Sequence, residues 1–160
     1  MTNYNCKIMK KQKKILAISS IGGHWIQLLR IVRPLEKDFT VEYMCTHIKC
    51  ATMVEGKQFY KIEDFSRWDA YKILPALLKD IILLKKNKPS VVITTGAAPG
   101  IVCLLAAKLC GIKTVWIDSI ANVEHLSASG RIAKKIADKV YTQWPDLVEK
   151  GVVYKGNIFG

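Results

Sequence analysis

The sequence predicts an α/β domain in which a parallel sheet carries helices on both faces. Three observations predict it. Short apolar runs without polar alternation, Ile15-Leu16-Ala17-Ile18 and Val91-Val92-Ile93 among them, read as strands covered on both sides. Each of these two runs is followed by a glycine-bearing turn and then by apolar residues at helical spacing. The two patterns alternate along the chain, as units of strand, crossover helix and parallel strand require. A length of 160 residues, with 50% hydrophobic and 24% charged residues, suits one domain with a real core and excludes disordered, collagenous and low-complexity chains.

Residues 1–14 include Lys7, Lys10, Lys11, Lys13 and Lys14 and little apolar periodicity. They read as a flexible basic arm, or as a merely solvated tail, ahead of a domain spanning residues 15–160. Ile15 to Ile18 is the first strand, Ser19-Ser20-Ile21-Gly22-Gly23 its turn, and Trp25 to Val32 a helix. Phe39 to Thr46 and Phe59 to Ile62, rich in β-branched and aromatic residues, are the next strands. Asp69 to Lys86 is the strongest helix. Ile73, Leu77, Ile81 and Leu84 form one stripe and Leu74, Leu78 and Ile82 another beside it, an apolar face wider than one sheet contact requires. Val91 to Thr95 is a strand and Gly96-Ala97-Ala98-Pro99-Gly100 its turn, with Pro99 suited to the first helical position. A helix from Ile101 to Leu109 follows, ended by Gly111. Thr114 to Ile117, Lys139 to Gln143 and Val152 to Tyr154 complete the strands, and Arg131 to Ala137 is a helix capped by Ser127 or Ser129.

Twenty-five Lys and Arg against thirteen Asp and Glu give +12, a field that draws the chain towards polyanions: nucleic acid, anionic lipid or a phosphorylated substrate. The lysines are not interleaved with aromatics in an RNA-binding pattern, so no nucleic acid is expected. Five cysteines, Cys6, Cys45, Cys50, Cys103 and Cys110, lack a framework spacing, and no cleavable leader pattern opens the chain. Reduced thiols in the cytoplasm are the expectation. The longest mostly apolar stretch, Ile73 to Leu84, contains Pro75, Lys79 and Asp80 and is too short to span a bilayer. His47 and His125 have no metal-ligand spacing with Cys45 or Cys50, and neither a metal nor a cofactor is expected.

In a sheet of this kind ligands collect beyond the carboxyl ends of the strands, where the strand order reverses. Ser20, Gly22 and Gly23 in the first turn let backbone approach a ligand and aim helix N–H groups at a phosphate or diphosphate, although glycine pairs also serve as steric devices. His24 either accepts a proton from a sugar hydroxyl or packs locally. In the second turn, which Gly100 closes, Thr95 and Gly96 offer a hydroxyl and a close N–H to a second polar group of a ligand. The other reading makes Thr95 a helix cap and the small residues a means of tight helix–sheet contact. Asn122 and Glu124 follow Asp118-Ser119 in a polar loop. Glu124 orients a hydroxyl, acts as a base, or is simply solvated. Lys72, Lys79, Lys85 and Lys86 flank the wide apolar helix face; near an anionic bilayer each lysine is worth about 1 kcal/mol. An ordinary core-facing helix with solvated lysines fits the same pattern. No carboxylate pair marks a hydrolase, and no acidic pair marks a metal-held nucleotide.

Read together, Ser20-Ile21-Gly22-Gly23-His24-Trp25, Thr94 to Gly100, Trp116-Ile117-Asp118-Ser119, Leu126 to Arg131 and Ala137 to Pro145 resemble one family over about residues 13–160. It is the acceptor-side glycosyltransferase subunits of bacterial exopolysaccharide and capsule assembly, the PssD type, similar to the eukaryotic subunit that anchors N-acetylglucosamine transfer onto dolichol diphosphate. The resemblance implies a Rossmann-like domain, the N-terminal half of a B-type glycosyltransferase. It implies binding of a polyprenyl-diphosphate-linked sugar acceptor, undecaprenyl in bacteria, with His24 as base. A second subunit carries the UDP-sugar, and the lone chain is inactive. The eukaryotic members begin with a membrane-spanning helix and no comparable segment opens this sequence. Peripheral attachment to the inner face of the plasma membrane therefore falls to the basic helix or to the partner. A non-catalytic membrane adaptor that recruits the catalytic chain is the alternative.

Overall fold

β1 (Lys14–Ser19) is the middle of the fold, paired in parallel with β2 (Thr40–Cys45) on one side and β4 (Val91–Thr94) on the other. The computed structural model describes residues 12–66 and 68–159. From β1 the chain moves outward through β2 to β3 (Phe59–Lys61). It then crosses back by α2 (Ala70–Asn87) to β4 and moves outward the other way through β5 (Lys113–Ile117), β6 (Lys139–Thr142) and β7 (Val153–Tyr154). The seven-stranded sheet has the order β3-β2-β1-β4-β5-β6-β7 and every pairing is parallel. The order reverses between β1 and β4, so the turns leaving these two strands face each other at the carboxyl rim.

Side-chain alternation sorts the core into two layers. Ile15 and Ala17 of β1 join Trp25, Leu28 and Val32 of α1 (Gly23–Val32) on one face. Leu16 and Ile18 join Leu84 of α2 and Leu104 of α3 (Ala97–Leu109) on the other. Both faces of the central strands are dry, which is why they read as unbroken apolar runs. Trp116 of β5 and Ala133 of α4 (Ala128–Ile136) extend the second layer.

The elements are those expected, with shifted boundaries. α3 begins at Ala97, four residues before Ile101, and Pro99 is its third residue rather than its first. The first turn of a helix tolerates proline because its N–H groups have no partner within the helix. α4 begins at Ala128, where the Ser127 hydroxyl accepts from the Gly130 N–H at 2.7 Å. Short 3-10 turns at Arg33–Lys37, Ile48–Val54 and Pro145–Leu147 carry no periodic signal in the sequence. Most of the expected basic arm, residues 1–11, lies outside the described residues. Lys14, counted in that arm, instead opens β1 and pairs with Glu42 at 2.7 Å. Cys45, Cys50, Cys103 and Cys110 are free thiols, while Cys6 lies outside the described residues. No described helix is long and apolar enough to cross a membrane.

α2 buries one stripe and shows the other. Leu84 is fully buried, and Leu77 and Ile81 pack on the core. Leu74, Leu78 and Ile82 are 63%, 53% and 68% exposed, and Tyr71 continues their line.

Candidate functional site

The first turn is built around glycine. Gly22 caps α1 at φ +100°, where a side chain would be strained, and its N–H neighbour Ile21 is tied to β2 through the Thr46 hydroxyl at 3.1 Å. A Cβ added at Gly23 would meet nothing within 4 Å. Nothing inside the protein asks for glycine there; what its small size leaves is open space against the first helical N–H groups. α1 has no side-chain cap and no acidic residue in its first turn, so its positive dipole end is uncompensated. Ser20 is buried beneath the turn.

The second turn repeats this arrangement. α3 is capped by Gly96 at φ +149°, again without a side-chain cap or a first-turn acid. Ala97 follows at φ +68°, a left-handed conformation that a non-glycine residue holds at roughly 1 kcal/mol or more. Two uncompensated helix N-termini thus meet at the switch point. By contrast, α4, which starts farther along the sheet, is capped by Ser127.

His24 joins the two turns. The Thr95 hydroxyl donates to the His24 carbonyl at 2.7 Å. The imidazole lies against the Gly96 backbone, so that a Cβ there would fall 2.7 Å from its Cε1 and Nδ1. His24 Nδ1 is buried without a hydrogen-bond partner. The ring is held by shape on a glycine surface, while its polar chemistry is left unspent by the protein. Thr95 is therefore not the cap of α3; its hydroxyl is turned to α1. Gly100 serves packing: a Cβ there would stand 2.4 Å from the Thr94 Oγ1, so α3 sits close on β4.

A third loop completes the rim after β5. Asp118, buried, accepts from the Trp116 indole at 3.0 Å, the Ser127 N–H at 2.9 Å and hydroxyl at 2.6 Å, and the Asn122 amide at 3.3 Å. Gln27 of α1 spans to the same loop, donating to the Asp118 carbonyl at 2.9 Å and accepting from the Ile120 N–H at 3.0 Å. Asp118 and Gln27 are the residues that sequence reasoning missed as builders of the rim. A buried strand-end aspartate followed nine residues later by a helix-capping serine was the available signal. Asn122 braces this loop through Asp118. Glu124 is 85% exposed, 3.8 Å from the neighbouring His125, and no hydrogen bond links it to His24 among the described residues. Along α2, Lys79 stands 3.5 Å from Glu63 and Lys72 3.8 Å from Asp69, whereas Lys85 and Lys86 are exposed beside the apolar stripe.

Residues 66–158 match the family described as oligosaccharide biosynthesis protein Alg14 like. The UDP-N-acetylglucosamine transferase subunit ALG14 of Mus musculus is 24% identical over 185 residues, covering 93% of this chain and 84% of that protein. A UDP-N-acetylglucosamine–N-acetylmuramyl-(pentapeptide) pyrophosphoryl-undecaprenol N-acetylglucosamine transferase of Prochlorococcus marinus is 26% identical over 148 residues, covering 85% of this chain and 40% of the enzyme. In fold, the crystal structure of Acinetobacter baumannii MurG superposes with a TM-score of 0.75 at 18% identity, over 89% of this chain and 45% of that one. The chain thus spans less than half of these two longer proteins and has the Rossmann-like architecture of one half of such a transferase. A match that extends over more than half of the sequence, and includes the strand, turn and helix that build the second half of the rim, places this chain in the Alg14-like family of oligosaccharide biosynthesis proteins.

Proposed function

We propose that this chain is the acceptor-side subunit of a two-chain glycosyltransferase that moves a sugar from a UDP-sugar to a polyprenyl-diphosphate-linked sugar. The observation that carries the reading is the meeting of two uncompensated helix N-termini around a histidine whose Nδ1 has no partner. The helix ends, with the open backbone at Gly22, Gly23 and Gly96 and Ser20 beneath, suit a diphosphate. His24 suits the role of general base. It takes the proton of the acceptor hydroxyl as that oxygen bonds to the anomeric carbon of the donor, and the bond from that carbon to UDP breaks with its electron pair on the departing diphosphate. A second chain supplies the UDP-sugar site, in keeping with the word subunit in the relatives' names and with the share of the longer transferase that this chain spans. Exopolysaccharide or capsule assembly of the PssD type, on an undecaprenyl carrier at the inner face of the plasma membrane, is the setting proposed. Lys72, Lys79, Lys85 and Lys86 beside the exposed apolar stripe of α2 meet the anionic bilayer there.

The test is transfer by the complex of both chains to a polyprenyl-diphosphate-linked sugar. His24→Ala should lower kcat by about 10²–10⁴-fold, the usual worth of a positioned base. Unchanged transfer by His24→Ala would refute the base. The exposed stripe of α2 supports a second reading, a non-catalytic membrane adaptor. That reading predicts that changes in both glycine turns leave transfer intact while changes on α2 abolish it.

A further inference from the structure

On the sheet face opposite α1, between the segment after β3 and α2, lies a cavity of about 290 Å³. Ile62 and Phe65 from that segment, Leu83 from α2 and Pro99 from α3 give it apolar walls. Asp80 of α2 lines it as well, although it is only 6% exposed. Among the described residues no hydrogen bond or ion pair reaches this carboxyl group. The position falls on the core-facing side of α2, beside Leu77, Ile81 and Leu84, where an apolar side chain would pack without cost. Fold stability therefore does not ask for an acid there, and its unused acceptors face the cavity.

The neighbourhood selects the ligand. Lys61 from β3 and Lys79 from α2 line the same cavity, with Glu63 drawn to Lys79 at 3.5 Å. A cation approaching the carboxyl group meets two lysines on a molecule of net charge +12. An anion meets the carboxylate. A neutral group that donates hydrogen bonds from one edge and shows C–H surface on its faces meets neither objection, since apolar walls with one convergent polar group are the common form of a small-molecule site. The volume sits at the lower limit of the ~300–1,000 Å³ usual for ligand sites, so it suits one ring. We propose that this cavity is a carbohydrate site, taking a single neutral hexose-sized ring whose adjacent hydroxyls donate to the Asp80 carboxylate and whose apolar face rests on Phe65 and Pro99. Pro99 sets the cavity beside the second turn, but none of Ser20, Gly22, Gly23, His24, Thr95 and Gly96 lines it, and the proposal does not depend on the reading of the rim.

Titrating the isotopically labelled 160-residue chain at pH 8, where Asp80 is ionised, with N-acetylglucosamine, with glucose and with methylammonium, each alone, tests this by amide chemical shifts. At least one sugar should shift Phe65, Ala76 and Asp80 saturably in the millimolar range, and methylammonium should not. Asp80→Leu, which removes the acceptors at similar volume, should weaken sugar binding by about tenfold or more. Ala76→Leu, a good helix former that fills the cavity and spares the carboxyl group, should abolish it and decides the matter if Asp80→Leu fails to fold. No saturable shift with either sugar, a larger response to methylammonium, or undiminished sugar binding in Ala76→Leu would overturn the proposal. The measurement uses neither partner nor acceptor, so its failure is distinct from failure of the transfer reading.

Discussion

At the scale of single residues, glycines do different work that their identity alone does not reveal. Gly96 makes room for an imidazole, and Gly100 makes room for a strand. Alanine should separate the two. In Gly96→Ala the new methyl group displaces the His24 ring, which can rotate away, so transfer by the complex should fall at least as far as in His24→Ala while the fold loses only about 1 kcal/mol from the positive φ. In Gly100→Ala the methyl group meets the γ-oxygen of a β-branched strand residue that cannot yield, and unfolding measurements should show a loss of about 1–3 kcal/mol. The presence of two glycine turns was legible in the sequence because each followed a strand pattern. Their contact was not, because the Thr95–His24 hydrogen bond joins positions 71 apart and depends on β4 lying beside β1. The rim role of Asp118 was hidden for a similar reason: Trp116, Asn122 and Ser127 lie within nine residues of it, but Gln27, which donates to its carbonyl, lies 91 positions away.

At the scale of elements, α2 carries two apolar stripes with separate fates. Its sequence offers both stripes equally, and packing against the sheet and α3 takes Leu84 inside while Leu74, Leu78 and Ile82 stay outside. If that outer stripe meets a bilayer, the chain should sediment with anionic vesicles. Lys85→Glu with Lys86→Glu should then reduce partitioning by about tenfold or more, at about 1 kcal/mol per basic residue, and added salt should weaken the wild type. Equal sedimentation of the variant and the wild type would remove the membrane role. The inner side of α2 has its own signature. Burial raises the Asp80 carboxyl to about 7 from its ordinary 3.8. A raised carboxylate contributes stability that is full below about 3.8 and lost as pH climbs through about 7, because the unfolded chain ionises freely and the folded one must ionise a buried group. Unfolding free energy should therefore drop by about 2 kcal/mol between pH 5 and 8 relative to Asp80→Asn, whose profile lacks this component. Parallel profiles for the two proteins would contradict it.

At the scale of the whole molecule, the sheet order is what brings the two glycine turns to one rim. The parallel pairing and the apolar cover on both faces were legible in the alternation of apolar runs and helical stripes, since both faces of each central strand had to be dry, whereas the strand order itself was not. Under the two-chain reading proposed above, the donor half belongs to the second chain. The lone chain should accordingly release no UDP above background with any acceptor, and mixing in the second chain should restore turnover. Full turnover without a partner would end the two-chain reading.

The strand order has a consequence for biosynthesis. Strand β4 arrives after two strands and a long crossover helix have already been laid down on the other side of β1. Until it inserts, the histidine has no glycine surface to lean on and the second helix end does not exist. On the proposed reading, a ribosome-bound nascent chain displaying only its first three strands lacks half of the acceptor rim, which is complete only once β4 and α3 have joined β1.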